Sequence, residues 1–436
     1  MEKCPGQGWF LALCATCWLA IPVSVEAKES PNIPFFEGLH GVIRSRQYAD
    51  IKRDSDSEET FETRNDMRLE LALRFSQGIT GVLSGEVETN FGMNRDDFHP
   101  EERTIRLFEA YTDVNWGDVD LRIGQQVIRW GKGDEINPID NFTPENLKEG
   151  INLDRADRKF PVPAAYGKYF FLDRTHWEGI WIPFFRANLL AGSGQDWEPF
   201  FRKNYRNLGF VFLPERRRDR GLSDSVWATR LVHEGTLGDV SVSYAYHFDQ
   251  NPSYEVFRSP AVLPPTVETV WKRIHSVGSD FEIAHEGWGF RGEAVYTAGK
   301  PHITFNTSDD NLVEEKNTFQ ALLGVDRTFA NEIYANLQLI QDFILNHEDG
   351  MQARAYEASI SFRVWKKFLH DRLKLQWTGR SFLTDKDLFY KVDLTCEIKE
   401  DVEVGIGVMV FEGESQGLFG QFDDNDHVFV RAKFSF

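Results

Sequence analysis

The sequence predicts an all-β chain, closed into a transmembrane, antiparallel, up-and-down β-barrel. Three observations predict it: apolar and polar residues alternate at period two, connections alternate between long and very short, and the last stretch is an apolar strand ending on Phe436. In that stretch Val428, Val430, Ala432, Phe434 and Phe436 share one face, while His427, Arg431, Lys433 and Ser435 share the other. A strand of this kind left bare is an edge that invites aggregation. Closure of a barrel removes the edge by pairing the last strand with the first, near residues 35–46, and lipid requires the apolar face to point outward.

Composition narrows the alternatives. A chain of 436 residues exceeds a typical soluble core, but a barrel grows by circumference rather than by core volume. Mean hydropathy is −0.42, and after the N-terminus no apolar run approaches the ~20 residues of a spanning helix. Strands need only about 9 to 11 residues, half of them polar. The 36 Phe, 12 Trp and 12 Tyr suit aromatic girdles at the lipid borders, although they would also fill the core of a secreted soluble β-protein.

Residues 1–27 read as a cleaved secretory signal peptide, with Lys3, an apolar run from Trp9 to Ile21, and Val25-Glu26-Ala27 as the cleavage site. Residues 28–436 then form a single barrel domain. Cys4, Cys14 and Cys17 leave with the signal, so Cys396 remains alone and neither a disulfide nor a cysteine metal cluster is expected. No metal and no cofactor are expected. The net charge of −19 becomes −18 when Glu2, Lys3 and Glu26 are removed, which excludes a general nucleic-acid binder. It suits acidic loops at a cell surface.

Taken in order, Leu39, Gly41 and Ile43 open the first strand, and a charged loop follows from Asp50 to Glu59. Leu69, Leu71, Leu73 and Phe75 face Arg68, Glu70 and Arg74 in the second, which turns at Gln77-Gly78. The third sets Leu83 and Val87 against Glu86 and Glu88. The fourth sets Phe108, Ala110, Val114 and Trp116 outward against Glu109 and Asp113. The fifth (Leu121, Ile123, Val127 outward, Arg122 inward) runs into a loop lasting to about Ala165. A hairpin from Tyr166 to Leu190, a basic loop to Ser225, strands near 226–234 and 238–248, and a Pro-rich loop from Asn251 to Pro265 follow. Turns at Glu286-Gly287, Ala330-Asn331, Leu369-His370-Asp371 and Lys399-Glu400-Asp401 complete about eighteen strands, with sixteen to twenty allowed by the uncertainty of boundaries. Both termini fall on the short-turn side, as with periplasmic turns opposite long outer loops.

With the apolar face outside, the polar face lines a pore. Its bases are Arg68, Arg74, Arg122, Arg363, Lys374, Arg380, Lys391, Lys399, Arg431 and Lys433. Its acids are Glu70, Glu86, Glu88, Glu109, Asp113, Asp120, Glu357, Asp393, Glu397 and Glu403. Acids dominate strands two to five, and bases dominate the last five. Such walls set up a transverse field that orients dipolar solutes, unless the charges only solvate a wet lumen.

The loops at about 131–165 and 191–224 are the long ones. A loop of over thirty residues folds onto something, and the barrel has room inside. The expectation is a pore constriction, with Arg129 and Trp130 at its start, Asp134 and Asp140 within it, and prolines stiffening its path. The alternative is an extracellular flap. In the second loop Arg202, Arg206, Arg216, Arg217 and Arg218 are dense enough to take phosphate or carboxylate, including lipopolysaccharide phosphates, or else pair with nearby acids.

The run Trp130-Gly131, Asp134, Asn137-Pro138 and Asp140, followed by Asp157-Arg158-Lys159-Phe160-Pro161-Val162-Pro163 and Trp177-Glu178-Gly179-Ile180-Trp181, resembles a family of porin-like proteobacterial outer-membrane barrels catalogued as a domain of unknown function. The resemblance implies location in a Gram-negative outer membrane. Members are often encoded beside exporters of the resistance-nodulation-division type, so it also implies an inner-membrane export partner and traffic in lipid-like molecules. It supplies no catalytic residue. Assembly machinery reading Phe436, and outer-membrane lipid, are the other expected partners. No Gly-x-Ser-x-Gly, Walker or zinc motif is present, and His347-Glu348-Asp349 in one loop reads as a solvated turn, so no enzyme is expected. The reading is a porin-like channel. The alternative is a surface-interaction barrel with a blocked lumen.

Overall fold

The computed structural model describes residues 35–52, 61–93, 98–151, 155–214, 221–259, 262–306 and 311–436. The expected signal peptide, residues 1–27, lies outside them. Eighteen strands close into one antiparallel barrel. In chain order they are β1 (Phe36–Asp50), β2 (Phe61–Ser76), β3 (Ile79–Met93), β4 (Phe98–Trp116), β5 (Val119–Gln126), β6 (Val162–Leu172), β7 (Thr175–Ile182), β8 (Val226–Glu234) and β9 (Gly238–Phe248). There follow β10 (Arg273–His285), β11 (Trp288–Ile303), β12 (Val313–Thr328), β13 (Ile333–Leu345), β14 (Tyr356–Phe368), β15 (Leu373–Phe382), β16 (Leu388–Lys399), β17 (Val402–Glu412) and β18 (His427–Ser435).

Each strand pairs with its successor, and β18 returns to β1 in the register Val42↔Ser435 to Asp50↔His427. Phe436 completes the seam: its N–H donates to the Gly41 carbonyl at 3.0 Å, and its carbonyl accepts from the Gly41 N–H at 2.7 Å. The Phe436 ring covers Gly41, where a Cβ would lie 2.2 Å from it, so any larger residue there would displace the ring.

Period two decides what each strand shows to lipid. In β9, Val240, Val242 and Tyr244 are exposed, while Ser241, Ser243, Ala245 and His247 are buried inside. Trp116, Tyr169, Phe171 and Trp177 are exposed beside the short turns after β4 and β6, where one lipid border is expected. Eight short turns and both described ends share one rim, and the long connections share the other.

Several local expectations change. Phe108 does not face lipid. Leu83 pairs with Ala110 but Gly85 pairs with Leu107, so Phe108 and Glu109 together oppose Ser84 in a β-bulge. The extra residue flips the alternation, and Phe108 turns inward with 4% exposure. The first long loop occupies 127–161, because β5 stops at Gln126 and β6 starts at Val162. The second occupies 183–225, since β7 ends at Ile182 rather than Leu190. The Pro-rich stretch is itself a hairpin, Ser253–Ser259 with Val262–Val270, joined by Val211–Phe212 in a three-stranded rim sheet. A helix, Phe200–Asn207, packs Tyr205 against Tyr254, Val256 and Val267 of that sheet.

Candidate functional site

The 127–161 loop enters the lumen and is held by wall residues from around the circumference. It begins with Ile128 and Trp130, both buried in an apolar cluster with Ile139, Phe142, Ile180 and Val226. The Trp130 ring meets Phe142 edge-on at 4.8 Å and lies under the Arg230 guanidinium of β8, 4.8 Å away. Arg129, one residue earlier, is exposed.

The tip of the loop is fixed through its backbone. The Glu293 carboxylate of β11, 3% exposed, accepts N–H bonds from Lys132 at 2.5 Å, Gly133 at 2.6 Å and Ile139 at 3.2 Å. Three amides on one anion fold the 132–139 segment into a compact turn. Side chains then spread from it. Lys132 reaches Glu282 of β10 at 2.9 Å, Asp134 reaches Arg291 of β11 at 3.2 Å, and Glu135 reaches Arg363 of β14 at 2.6 Å.

The returning half carries its own cations. Asp140 takes Lys159 and Arg155 at 3.2 Å each, and Glu145 takes Arg155 at 3.0 Å and Arg158 at 3.3 Å. Burial alone would push the Glu145 carboxyl up, but Lys159, Arg158 and Arg155 outweigh it and hold the group at about 2. The far side is tied to the first strands, with Glu149 at 3.0 Å from Arg64 and Asp157 at 2.6 Å from Arg44. The loop therefore contacts β1, β2, β8, β10, β11 and β14.

The inner residues expected from sequence divide into two groups. On β2–β5, Arg68 bonds Glu86 at 2.6 Å, and Arg122 bonds Asp113 at 2.7 Å. Glu88 takes Arg106 at 2.8 Å, the Glu109 carboxylate accepts the Val127 N–H at 2.9 Å, and Arg74 pairs with Glu37 near a short turn. Glu70 is half-buried on the same face as Arg68. Arg64 and Arg106 of this wall and Arg44 and Arg46 of β1 also point inward and pair with Asp66, Glu62 and Glu86, so that most carboxylates here are matched by an arginine. On β14–β18, Arg431 bonds Asp393 at 2.8 Å, Lys374 lies 5.4 Å from the Trp365 ring, Lys391 is buried, and Lys433 is exposed toward the short-turn rim.

Between the loop and strands β9–β17 remains a cavity of about 840 Å³. Its charged flank includes Lys300, Asp342, Glu357, Arg363 and Arg380, and its apolar flank includes Ile136, Ile151, Phe389 and Phe422. Beneath the apolar flank lies a buried cluster of Trp197, Phe382, Met409, Phe411 and Phe419. It is closed by the 413–426 loop, whose Phe419 and Gly420 N–H groups donate to Asp387. Burial raises the Asp387 carboxyl despite those bonds.

Arg202 and Arg206 do not stand free at the rim: both turn to Glu198, which is buried, at 3.9 and 2.7 Å. Arg216, Arg217 and Arg218 lie outside the described residues. Sequence reasoning missed Glu293, Glu135, Arg230 and Arg291. The signal for the first two was weak, since a glutamate on an inner face or in a loop tip carries no mark of its partner. Arg155, Arg158 and Lys159 were more legible, being three cations shortly after Asp140 and Glu145.

Comparisons place the geometry among known barrels. OccAB1 of Acinetobacter baumannii superposes with a TM-score of 0.54 at 10% identity, over 92% of this chain and 97% of that one. OpdL of Pseudomonas aeruginosa gives 0.51 at 10% identity, over 91% and 98%. OccAB3 of Acinetobacter baumannii gives 0.51 at 10%, over 91% and 98%. At such identities the likeness is one of fold, that of an outer-membrane β-barrel. A search of curated proteins returns no match. The family model described as Protein of unknown function (DUF1302) matches residues 48–436, nearly the whole barrel, and the chain belongs to that family.

Proposed function

We propose that this barrel is an outer-membrane channel, and that small or amphiphilic solutes pass between the inserted loop and strands β9–β17. The observation that carries the reading is the cavity of about 840 Å³, which falls in the usual range for small-molecule sites and combines a charged with an apolar flank. The loop narrows the lumen without filling it. Passage is passive in this reading, or is supplied by an export partner in the periplasm or inner membrane. The chemistry of the lumen is that of solvation and steering rather than catalysis.

Conductance of the purified barrel in a planar bilayer tests the proposal. Discrete open steps are expected. Persistent silence from a barrel that shows heat-modifiable gel migration would favour the second reading, a surface-interaction barrel with a blocked lumen. The fastening of the loop to strands around the circumference supports that alternative.

A further inference from the structure

Four charges on the wall facing the loop differ from those around them. Lys300 of β11, Asp342 of β13, Glu357 of β14 and Arg380 of β15 all line the cavity. Among the described residues none of the four makes an ion pair, whereas Arg363, Arg291 and Arg431 on neighbouring strands each do. Asp342 and Glu357 are register partners, which places their Cβ atoms roughly 5 Å apart. Among the described residues Asp342 accepts only the Gln320 amide.

Arg380 is held in place yet leaves donors spare. Its Nε–H donates to Ser359 Oγ at 3.0 Å, and its guanidinium lies 4.5 Å from the Phe382 ring centroid. Asp342, Glu357 and, least of the three, Asp387 act on it through space, and Asp342 also feels Lys300. Among the described residues the terminal guanidinium nitrogens have no acceptor. A fork fixed at one nitrogen and stacked on a ring is prepared for a bidentate carboxylate.

Across the wall the patch runs positive, negative, negative, positive, and sums to zero. An anion alone would add charge beside two carboxylates already facing each other. A cation alone would leave the Arg380 fork without an acceptor. A solute with both charges answers both demands, and apolar surface continues beside the patch at Phe389, Phe422 and Ile151.

We propose that this patch binds a zwitterion of the amino-acid type, its carboxylate on Arg380, its ammonium on Asp342 and Glu357, and its apolar body against Phe389, Phe422 and Ile151. The proposal rests on the channel reading for how the solute reaches the cavity.

The test is titration calorimetry on the folded full-length protein in detergent, with three probes that share one ring. They are phenylalanine, which carries both charges, 3-phenylpropanoate, which carries the negative one, and 2-phenylethylammonium, which carries the positive one. Phenylalanine is expected to bind about tenfold more tightly than either, as one extra charge-assisted hydrogen bond provides. Arg380→Gln should bring phenylalanine down to the ammonium probe, and Asp342→Asn with Glu357→Gln should bring it down to the carboxylate probe. Equal affinities for the three probes, no binding of any, or variants that bind as the native protein does would each overturn the proposal. Heat-modifiable migration screens every variant for folding, and should Arg380→Gln fail it, the double carboxylate variant carries the decision. An open channel that ignores phenylalanine refutes this proposal alone, and tight binding by a silent barrel refutes the channel reading alone.

Discussion

Two walls of one barrel handle charge in opposite ways. On β1–β4 the inner arginines 44, 46, 64, 68 and 106 each hold a carboxylate within 3.0 Å, and the returning half of the loop docks on them through Glu149 and Asp157. On β11–β15 Lys300, Asp342, Glu357 and Arg380 face the cavity and make no ion pair among the described residues. Charge acts as a fastener where protein fills the lumen, and stays available where solute can lie. A buried pair strongly penalises loss of one partner, whereas removing a group that holds no opposite charge strands none.

The severest break is removal of the obstruction. Deleting residues 140–155 takes away Glu145, Glu149 and Arg155 together, and single-channel conductance should rise severalfold. Unchanged conductance would place the loop outside the current path.

Next comes the contrast between the walls themselves. Arg64→Ala leaves Glu149, whose side chain is 3% exposed, without its cation, and should cost about 3–5 kcal/mol. Asp342→Asn on the open wall should shift stability by less than about 0.5 kcal/mol. Urea unfolding in lipid vesicles measures both, and equal costs would erase the distinction.

Acid sharpens it further. The Glu145 carboxyl titrates at about 2 in the folded protein against an ordinary 4.5, so it binds its proton less readily when folded. Its stabilisation is complete above 4.5 and is lost as pH falls through about 2. The stability gap between native protein and Glu145→Gln, on the order of 3 kcal/mol, should stay level from neutral pH down to about 4.5 and shrink below it. A gap that closes above that value would contradict the arrangement of its three cations.

The smallest effect is expected where the loop meets water. The Arg44–Asp157 pair has a carboxylate 40% exposed, and Asp157→Asn should cost less than about 1 kcal/mol and fade with added salt.

The barrel was legible because period two is repeated in every strand, and lipid on one side leaves no other face for Leu69, Leu83 or Val242. It failed at Phe108, where one extra residue reverses the alternation with no glycine or proline to announce it. Within the loop, Asp134 and Asp140 were singled out by type and place. Their partners Arg291 and Lys159 were not matched to them, because a chain of that length meets strands far away in sequence. Arg106 was overlooked because it lies beyond the bulge at Phe108 and Glu109, where the phase reverses, and Arg64 because it sits near the outer end of its strand, where the apolar face that sets the phase gives way to loop.

The seam between Gly41 and Phe436 has a kinetic meaning. It joins positions almost the full chain apart, so its loop-closure entropy is met only after every intervening hairpin has reduced the distance between them. The two hydrogen bonds and the ring over Gly41 are then late contacts, absent until the circle is nearly shut. Substitutions there should leave strand-by-strand growth untouched while speeding the reopening of finished barrels, which makes this one junction the clasp that sets how long a barrel lasts.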